Sequence, residues 1–476
     1  MYSDYSLLVL IESEICSKSK LALAFVDSRR GTQLHSTVMS SPVASVDPVP
    51  PRQFSYALRA LRHRNFCLFF IGQFISRTGY WMQGMALGWL VYRLTQSPFI
   101  LGLSSFVGQI PAVILGLFSG VVADRFSRYK VCLGTQILFM MQALTLGALT
   151  SSGVVTCWQF LSRAVLAGVV LTFGMPARQT FVQEIVPKED LTSAIALNSA
   201  LVNAARILGP ALAGLLVANF GEGACFTING ICYLAIIGGF LAMRLPKETS
   251  PPPPTGSTWA FIREGVTYAV HTPAIRLLLL LIAILSLVTT PYTVLMPIFA
   301  KDILHGGPSA MGTLMGAAGA GAVVGVYFLA RQRDTKNLGR FITFALLRLA
   351  VGLILFSLSR NFWLSLLLLP LVGSGFMVPM STANTLLQTL TPAPLQGRIM
   401  SLFLMMFMGA PPIGSLLAGA LAPHIGAPLT VGITGVACLG AAGWFWLQVP
   451  LLEQATSAQA EQEEQASLQA ISAARS

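Results

Sequence analysis

Apolar residues run through this chain in blocks too long for the helices of a water-soluble core. They cover roughly 66–93, 99–122, 130–150, 156–177, 192–218, 224–244, 276–300, 310–330, 340–358, 362–383, 397–421 and 428–449. A helix needs about 20 mostly apolar residues to cross a bilayer core. The pattern therefore predicts an all-α membrane protein with twelve transmembrane helices. The longest polar interruption, 245–272, holds Pro251–Pro254 and divides the spans six and six. The expected units are a disordered cytoplasmic N-tail (1–53), an N-terminal six-helix bundle (54–245) and a cytoplasmic linker (246–272). A C-terminal bundle (273–450) and a cytoplasmic C-tail (451–476) follow. Met39 offers an alternative start within the tail.

The halves repeat. QEIVPKEDLTSAIALNSALVNAARILGPALAGLLVANFG (183–221) lies over QTLTPAPLQGRIMSLFLMMFMGAPPIGSLLAGALAPHIG (388–426) without a gap. Pro187 meets Pro392, Gly209 meets Gly414, Gly214 meets Gly419 and Gly221 meets Gly426, a constant offset of 205. The same offset sets Gly116 over Gly321 and Gly120 over Gly325, and Leu329 where Asp124 stands. An amphipathic segment precedes each half, FSYALRALRHR at 54–64 and WAFIREGVTYAV at 259–270. Six spans per repeat make the halves parallel, related by a pseudo-two-fold axis along the membrane normal. That is the plan of two-bundle secondary transporters, whose site lies between the bundles near mid-membrane.

Charge orients the chain. Arg125, Arg128, Lys130, Arg331, Arg333, Lys336, Arg340 and most other loop bases fall on one face, against Arg93, Lys301 and Arg360 on the other. Bases mark the cytoplasmic face, so both termini are expected inside the cell. Charged residues make up only 10% of the chain and hydrophobic ones 54%. Mean hydropathy is +0.70. The net charge of +12 sits in short loops and does not point to nucleic acid. Scattered cysteines and histidines offer no metal set, and no phosphate-binding loop appears. No cofactor is expected, and no enzyme activity. Energy must come from an ion gradient, a partner or the substrate gradient.

Polar groups inside the spans are the candidates for chemistry. Arg77 lies mid-span in GQFISRTGYWMQ, where a charge is costly unless it meets a water-filled cavity or a partner. Gln73, Arg77 and Tyr80 recur at helical spacing and share a face. With Gln83 they could line a cavity, or Arg77 could anchor the helix. Arg206 and Arg163 are further candidates, while Asn198 and Asn203 suit helix–helix contacts. Thr289, Thr290 and Tyr292 surround Pro291, as a gate or as caps of a proline kink. No Asp or Glu stands in the middle of a span. The acids at span ends include Asp124, Glu184, Glu189, Asp190, Glu222 and Asp302.

GVVADRFSRYK (120–130) resembles the loop signature of the major facilitator superfamily, through Gly120, Asp124, Arg125 and Arg128, with Ser127 at a usual glycine. RILGPALAG (206–214) resembles the Gly-Pro motif of its export branch. The stretches 65–102 and 176–214 are similar to the enterobactin-exporter-like, or transmembrane secretion effector, branch. The resemblance implies export of a small siderophore-like or drug-like molecule across a bacterial inner membrane by alternating access, with a proton as coupling ion. It implies a latch in which Asp124 faces the start of span 11, a helix N-terminus with partial positive charge. Arg128 would steady that acid or a neighbouring loop, and Arg125 and Lys130 would meet lipid phosphates. Gly209, Pro210 and Gly214 would kink and close-pack span 5 as part of the gate, or serve as ordinary small-residue packing. The expected partners are a small-molecule substrate, a proton and membrane lipid, for a monomer. Solute uptake and a non-transporting or lipid-handling role are the competing readings.

Overall fold

A computed structural model describes residues 58–125, 127–244, 258–331 and 338–473; the side chains of 117–125, 258–262, 393, 460, 462–464, 466–468, 470, 471 and 473 lie outside it. The described residues are almost wholly helical. In order they are α1 (Arg64–Thr95), α2 (Pro98–Arg125), α3 (Arg128–Ser151) and α4 (Cys157–Glu184). The run Leu191–Ala242 is two helices, α5 and α6, joined at Gly221. A linker helix (Thr258–His271) precedes α7 (Pro273–Val294), which continues through Met296–Ile298 into a π-helical turn, Phe299–Ile303. Then come α8 (Pro308–Ala330), α9 (Leu338–Leu358), α10 (Phe362–Leu390), α11 (Ala393–Ile425) and α12 (Ala427–Ala473).

Ten runs are long and apolar enough to cross a membrane, and one of them, Lys188–Ala242, contains both α5 and α6. α1 falls below that threshold because Arg64, Gln73, Arg77, Gln83 and Arg93 interrupt its apolar surface, yet it packs along α5 and α6 in the bundle. Twelve spans in two six-helix bundles result. Leu367, Phe344 and Leu447 expose 72%, 63% and 75% of their surface, and on a membrane helix such side chains face lipid. The N-tail and linker residues 245–257 lie outside the described set. The C-tail is helical, extending α12 to Ala473, and Glu453 is tied to Arg340 at 3.1 Å.

The repeat is visible in the packing. Gly221 (φ 79°, ψ 171°) and Gly426 (φ 83°, ψ 152°) break the chain at the α5–α6 and α11–α12 joints. Both lie in a region that side-chain-bearing residues rarely adopt. Gly209 seats α1 at Trp81 Cβ and Thr78 O, and its mate Gly414 seats α7 at Leu287 O. The amphipathic segments dock alike as well. Ala60 N–H donates to Ser193 Oγ at 3.2 Å, and Gly265 rests on Arg398 Cβ, the same pair of positions 205 residues on.

One register expectation fails. Gly116 faces open space, whereas Gly321 is pressed on Pro370, so the two are not equivalent. The contacts instead pair Pro98 with Pro308 and Gly102 with Gly312, because Gly419 meets the first of each pair and Gly214 the second. Gly168 on Gly108 matches Gly373 on Ala318, and Gly230 on Leu144 matches Gly435 on Ile354. Across α2–α3 and α8–α9 the offset is thus 210. Four of the five extra residues enter between the linker helix and α7, since Thr78 O under Gly209 becomes Leu287 O under Gly414 and the left-handed Gln96 becomes His305, both 209 residues on; the fifth enters just before Pro308. In this register Asp124 aligns with Asp334 rather than Leu329, so the acid is matched in the sequence of the second half. Asp334 itself lies outside the described residues.

Candidate functional site

The bundles meet along α2–α11 and α5–α8. At the Pro98 end, which the loop charges predict to be outside, the meeting is made by four glycines. A Cβ on Gly102 would stand 2.4 Å from Ser415 O and 2.8 Å from Gly419 Cα. On Gly419 it would stand 2.9 Å from Gly102 Cα and Pro98 O. The other contact is its pseudo-symmetric copy. A Cβ on Gly312 would stand 2.4 Å from Pro210 O and 2.9 Å from Gly214 Cα, and one on Gly214 2.9 Å from Pro308 O. Removal of the side chain lets helix backbones touch, the usual basis of tight packing in lipid. Ser105 and Ser415 hydroxyls add a 2.9 Å hydrogen bond between α2 and α11. The Gly-Pro piece therefore spans the molecule: Gly209 holds α1 of its own bundle, while Pro210 and Gly214 hold α8 of the other.

A polar contact joins the same end. Tyr92 of α1 donates a short hydrogen bond to Asp302 in the π-helical turn. Lys301 Nζ lies 5.5 Å from the Tyr92 ring centroid. At the offset of 209 that relates α1 to α7, Lys301 and Asp302 take the places of Tyr92 and Arg93, so the contact joins near-equivalent ends of the two halves. A π-turn often marks a functional position in a helix.

The centre is cationic and aromatic. Arg206 of α5 stacks its guanidinium 5.6 Å from the Trp81 ring and points Nη1 at Met377 Sδ, 3.9 Å away on α10 of the opposite bundle. Arg77 lies 5.9 Å from the Tyr80 ring, and its Nε has no hydrogen-bond partner. Residues 77 and 81 are four apart, so Arg77 and the Arg206–Trp81 pair lie along one side of α1. Gln73 is buried and accepts from Ser76 Oγ at its backbone oxygen, 3.3 Å. Gln83 accepts from Asn229 Nδ2 at 2.6 Å, which ties it to α6 within its own bundle. Asn384 of α10 is 1% exposed with both its side-chain oxygen and nitrogen unpartnered. That residue was missed; its only trace in the sequence is a polar run, STANT, in an apolar span.

At the opposite end Ser127 caps α3, accepting from Lys130 N–H at 3.4 Å, so serine suits the position where glycine is usual. Arg128 pairs with Glu184 at the end of α4. The side chains of Asp124 and Arg125, and Gly120 with them, lie outside the described residues. Asp190, buried, holds Arg59 Nε at 2.8 Å and His63 Nε2 at 2.7 Å, fastening the first amphipathic segment to the α4–α5 turn. In the second half Glu264 of the linker helix binds Arg398 of α11 at 2.9 Å, the same fastening with other residues.

Comparison with known proteins settles what this architecture is. A family model described as transmembrane secretion effector matches residues 55–475. The chain belongs to that family of major facilitator transporters. The staphyloferrin A transporter of Staphylococcus aureus is 22% identical over 78% of this chain and 93% of its own. The enterobactin exporter EntS of Escherichia coli is 27% identical over 75% and 85%. The multidrug efflux pump Tap of Mycolicibacterium fortuitum is 26% identical over 72% and 85%. Among solved structures, a bacterial homologue of the lysosomal transporter Spinster aligns with a TM-score of 0.63 at 14% identity, covering 84% of this chain and 98% of its own. The peptide transporter POT aligns at 0.66 and 16% identity, covering 82% and 95%. This secretion-effector chain is thus a multi-pass membrane transporter, not an enzyme.

Proposed function

We propose that this transporter exports a small amphipathic molecule, siderophore-like or drug-like, from the cytoplasm across the inner membrane. It does so by alternating access, with both termini cytoplasmic. The observation that carries the reading is the pair of glycine contacts, Gly102–Gly419 and Gly214–Gly312, which join the bundles at one end of a polar centre. Contacts this tight have two discrete states, closed or parted, and a two-state element is what a rocking mechanism needs. The excess of bases in the loops at the opposite end supports an outside position for this closed end. The relatives' siderophore and drug specificities support a similar cargo.

Gln73, Arg77, Tyr80 and Arg206 form the substrate wall. Gln83 belongs to it less directly, through the α1–α6 bridge. Asp124 at the inner end of α2 is the latch, closing on the N-terminus of α11 when the inner gate shuts, where a helix end favours a carboxylate by about 0.3–1 kcal/mol. Glu184, already engaged by Arg128, is the second acid able to couple proton movement to that gate.

The test is accumulation of a panel of siderophores and drugs in cells stripped of their own pumps. Cells making the chain should hold less of at least one compound. Asp124→Asn should return accumulation to the empty-vector level at equal protein abundance. Higher accumulation in the presence of the chain would reverse the direction, and unchanged export by Asp124→Asn would remove the latch.

A further inference from the structure

Two arginines inside the N-terminal bundle have no counter-charge. Arg163 of α4 is 9% exposed, and its Nε and Nη2 are buried without a hydrogen-bond partner. Arg77 of α1 leaves its Nε equally bare. The rings of Tyr80 and Tyr233 lie within electrostatic reach of both guanidinium groups. Phe139 stacks on Tyr233 at 5.9 Å and meets Tyr80 edge-on at 6.4 Å, closing the far side of this group.

Six of the described acids are engaged elsewhere. Glu184 holds Arg128, Asp190 holds Arg59 and His63, Glu222 holds Arg93, Asp302 accepts from Tyr92, Glu264 holds Arg398 and Glu453 holds Arg340. Among the described residues no ion pair includes Arg77 or Arg163. An isolated buried charge is costly, and here two of like sign share the same tyrosine neighbours. A ligand that neutralises them relieves that cost. A guanidinium is a planar fork of donors that matches a carboxylate or a phenolate better than a sphere of charge.

We propose that Arg77 and Arg163, flanked by Tyr80 and Tyr233, form a subsite for a planar anionic group, carboxylate or ionised phenol, borne on an aromatic portion of the exported molecule. Along α1 the subsite lies one helical turn from Trp81, on which Arg206 stacks, and so adjoins the central group at the bundle interface. The proposal rests on the export reading above and names the chemistry of its cargo.

Three isosteric probes separate charge from shape: 2-naphthoate, 2-naphthamide and 2-naphthamidine. Binding to the purified full-length protein is measured by equilibrium dialysis against protein-free micelles. Naphthoate should bind about tenfold tighter than naphthamide, the worth of a charge-assisted hydrogen bond, with naphthamidine weakest. Arg163→Gln should remove that preference, bringing naphthoate and naphthamide to equal binding, while Arg163→Lys keeps part of it. Should Arg163→Gln fail to fold, Arg77→Gln gives the same readout from the more exposed partner. Equal binding of naphthoate and naphthamide would overturn the proposal, as would a preference untouched in both glutamine variants. Inorganic phosphate displacing naphthoate at equal concentration would overturn it too, by assigning the pocket to a phosphate or lipid headgroup. Export of an uncharged drug is followed alongside. If that export persists while the naphthoate preference is absent, the subsite fails and the export reading stands; if export itself is absent, the export reading fails.

Discussion

Gly419→Leu should abolish export while leaving the protein abundant in the membrane. The new side chain would enter the space held by Gly102 and by Pro98 O, 2.9 Å from where its Cβ must lie. Backbone atoms of a packed helix cannot yield as a flexible side chain can. Overpacking of this kind costs about 1–3 kcal/mol. Here the cost falls only on the state in which α2 and α11 touch. A penalty of that size shifts a two-state balance by about 5- to 150-fold, enough to hold this end apart and stop the proposed cycle. Gly214→Leu should act the same way through Pro308 and Gly312. Gly440→Leu is the control, since nothing lies within 4 Å of a Cβ there and the residue is exposed. Vesicle export rates beside immunoblots of the same membranes make the measurement. Normal export by Gly419→Leu would mean that the glycine contact need not form during the cycle.

Arg206→Ala should have the second-largest effect, lowering export about tenfold with no loss of thermal stability. The side chain gains little for the fold: a guanidinium in the bundle interior is costly, and a cation–π contact with Trp81 returns only about 0.5–2 kcal/mol. It stands where the bundles face each other, between Trp81 on α1 and Met377 on α10. A group placed there at net cost is retained for what passes it. Arg206→Lys keeps the charge but not the planar fork, and should fall between wild type and alanine. Export rates paired with melting curves decide the matter. A lower melting point with unchanged export per folded molecule would make Arg206 a structural anchor.

The architecture was legible in the sequence because lipid imposes it. Apolar blocks of span length, a polar break at the centre and matched glycines at 214 and 419 are all consequences of burying backbone in hydrocarbon. Half of the seal was legible for the same reason. Its other half, Gly102 and Gly312, was hidden because a single offset of 205 was carried past an insertion. Proline followed four residues later by glycine, SPFILG and GPSAMG, was the available signal, since both strings begin a span. The same oversight left Asp124 without a mate. Side-chain partners were less legible. Gln83 looks like a cavity residue by spacing, yet Asn229 of α6 claims it. Asp190 reads as one acid in a polar turn, and only the fold brings Arg59 and His63 to it from more than a hundred residues away. Helical periodicity tells which residues share a face, not which neighbour that face will meet.

The most direct test of alternating access joins the two bundles at the seal. Ser105 and Ser415 hydroxyls are 2.9 Å apart across α2 and α11. Ser105→Cys with Ser415→Cys, in a background where the native cysteines are replaced by serine, should crosslink under mild oxidation. Export should then stop, and a reductant should restore it. Export continuing at the wild-type rate with the crosslink complete would show that the bundles need not part at this end, and would contradict the rocking mechanism.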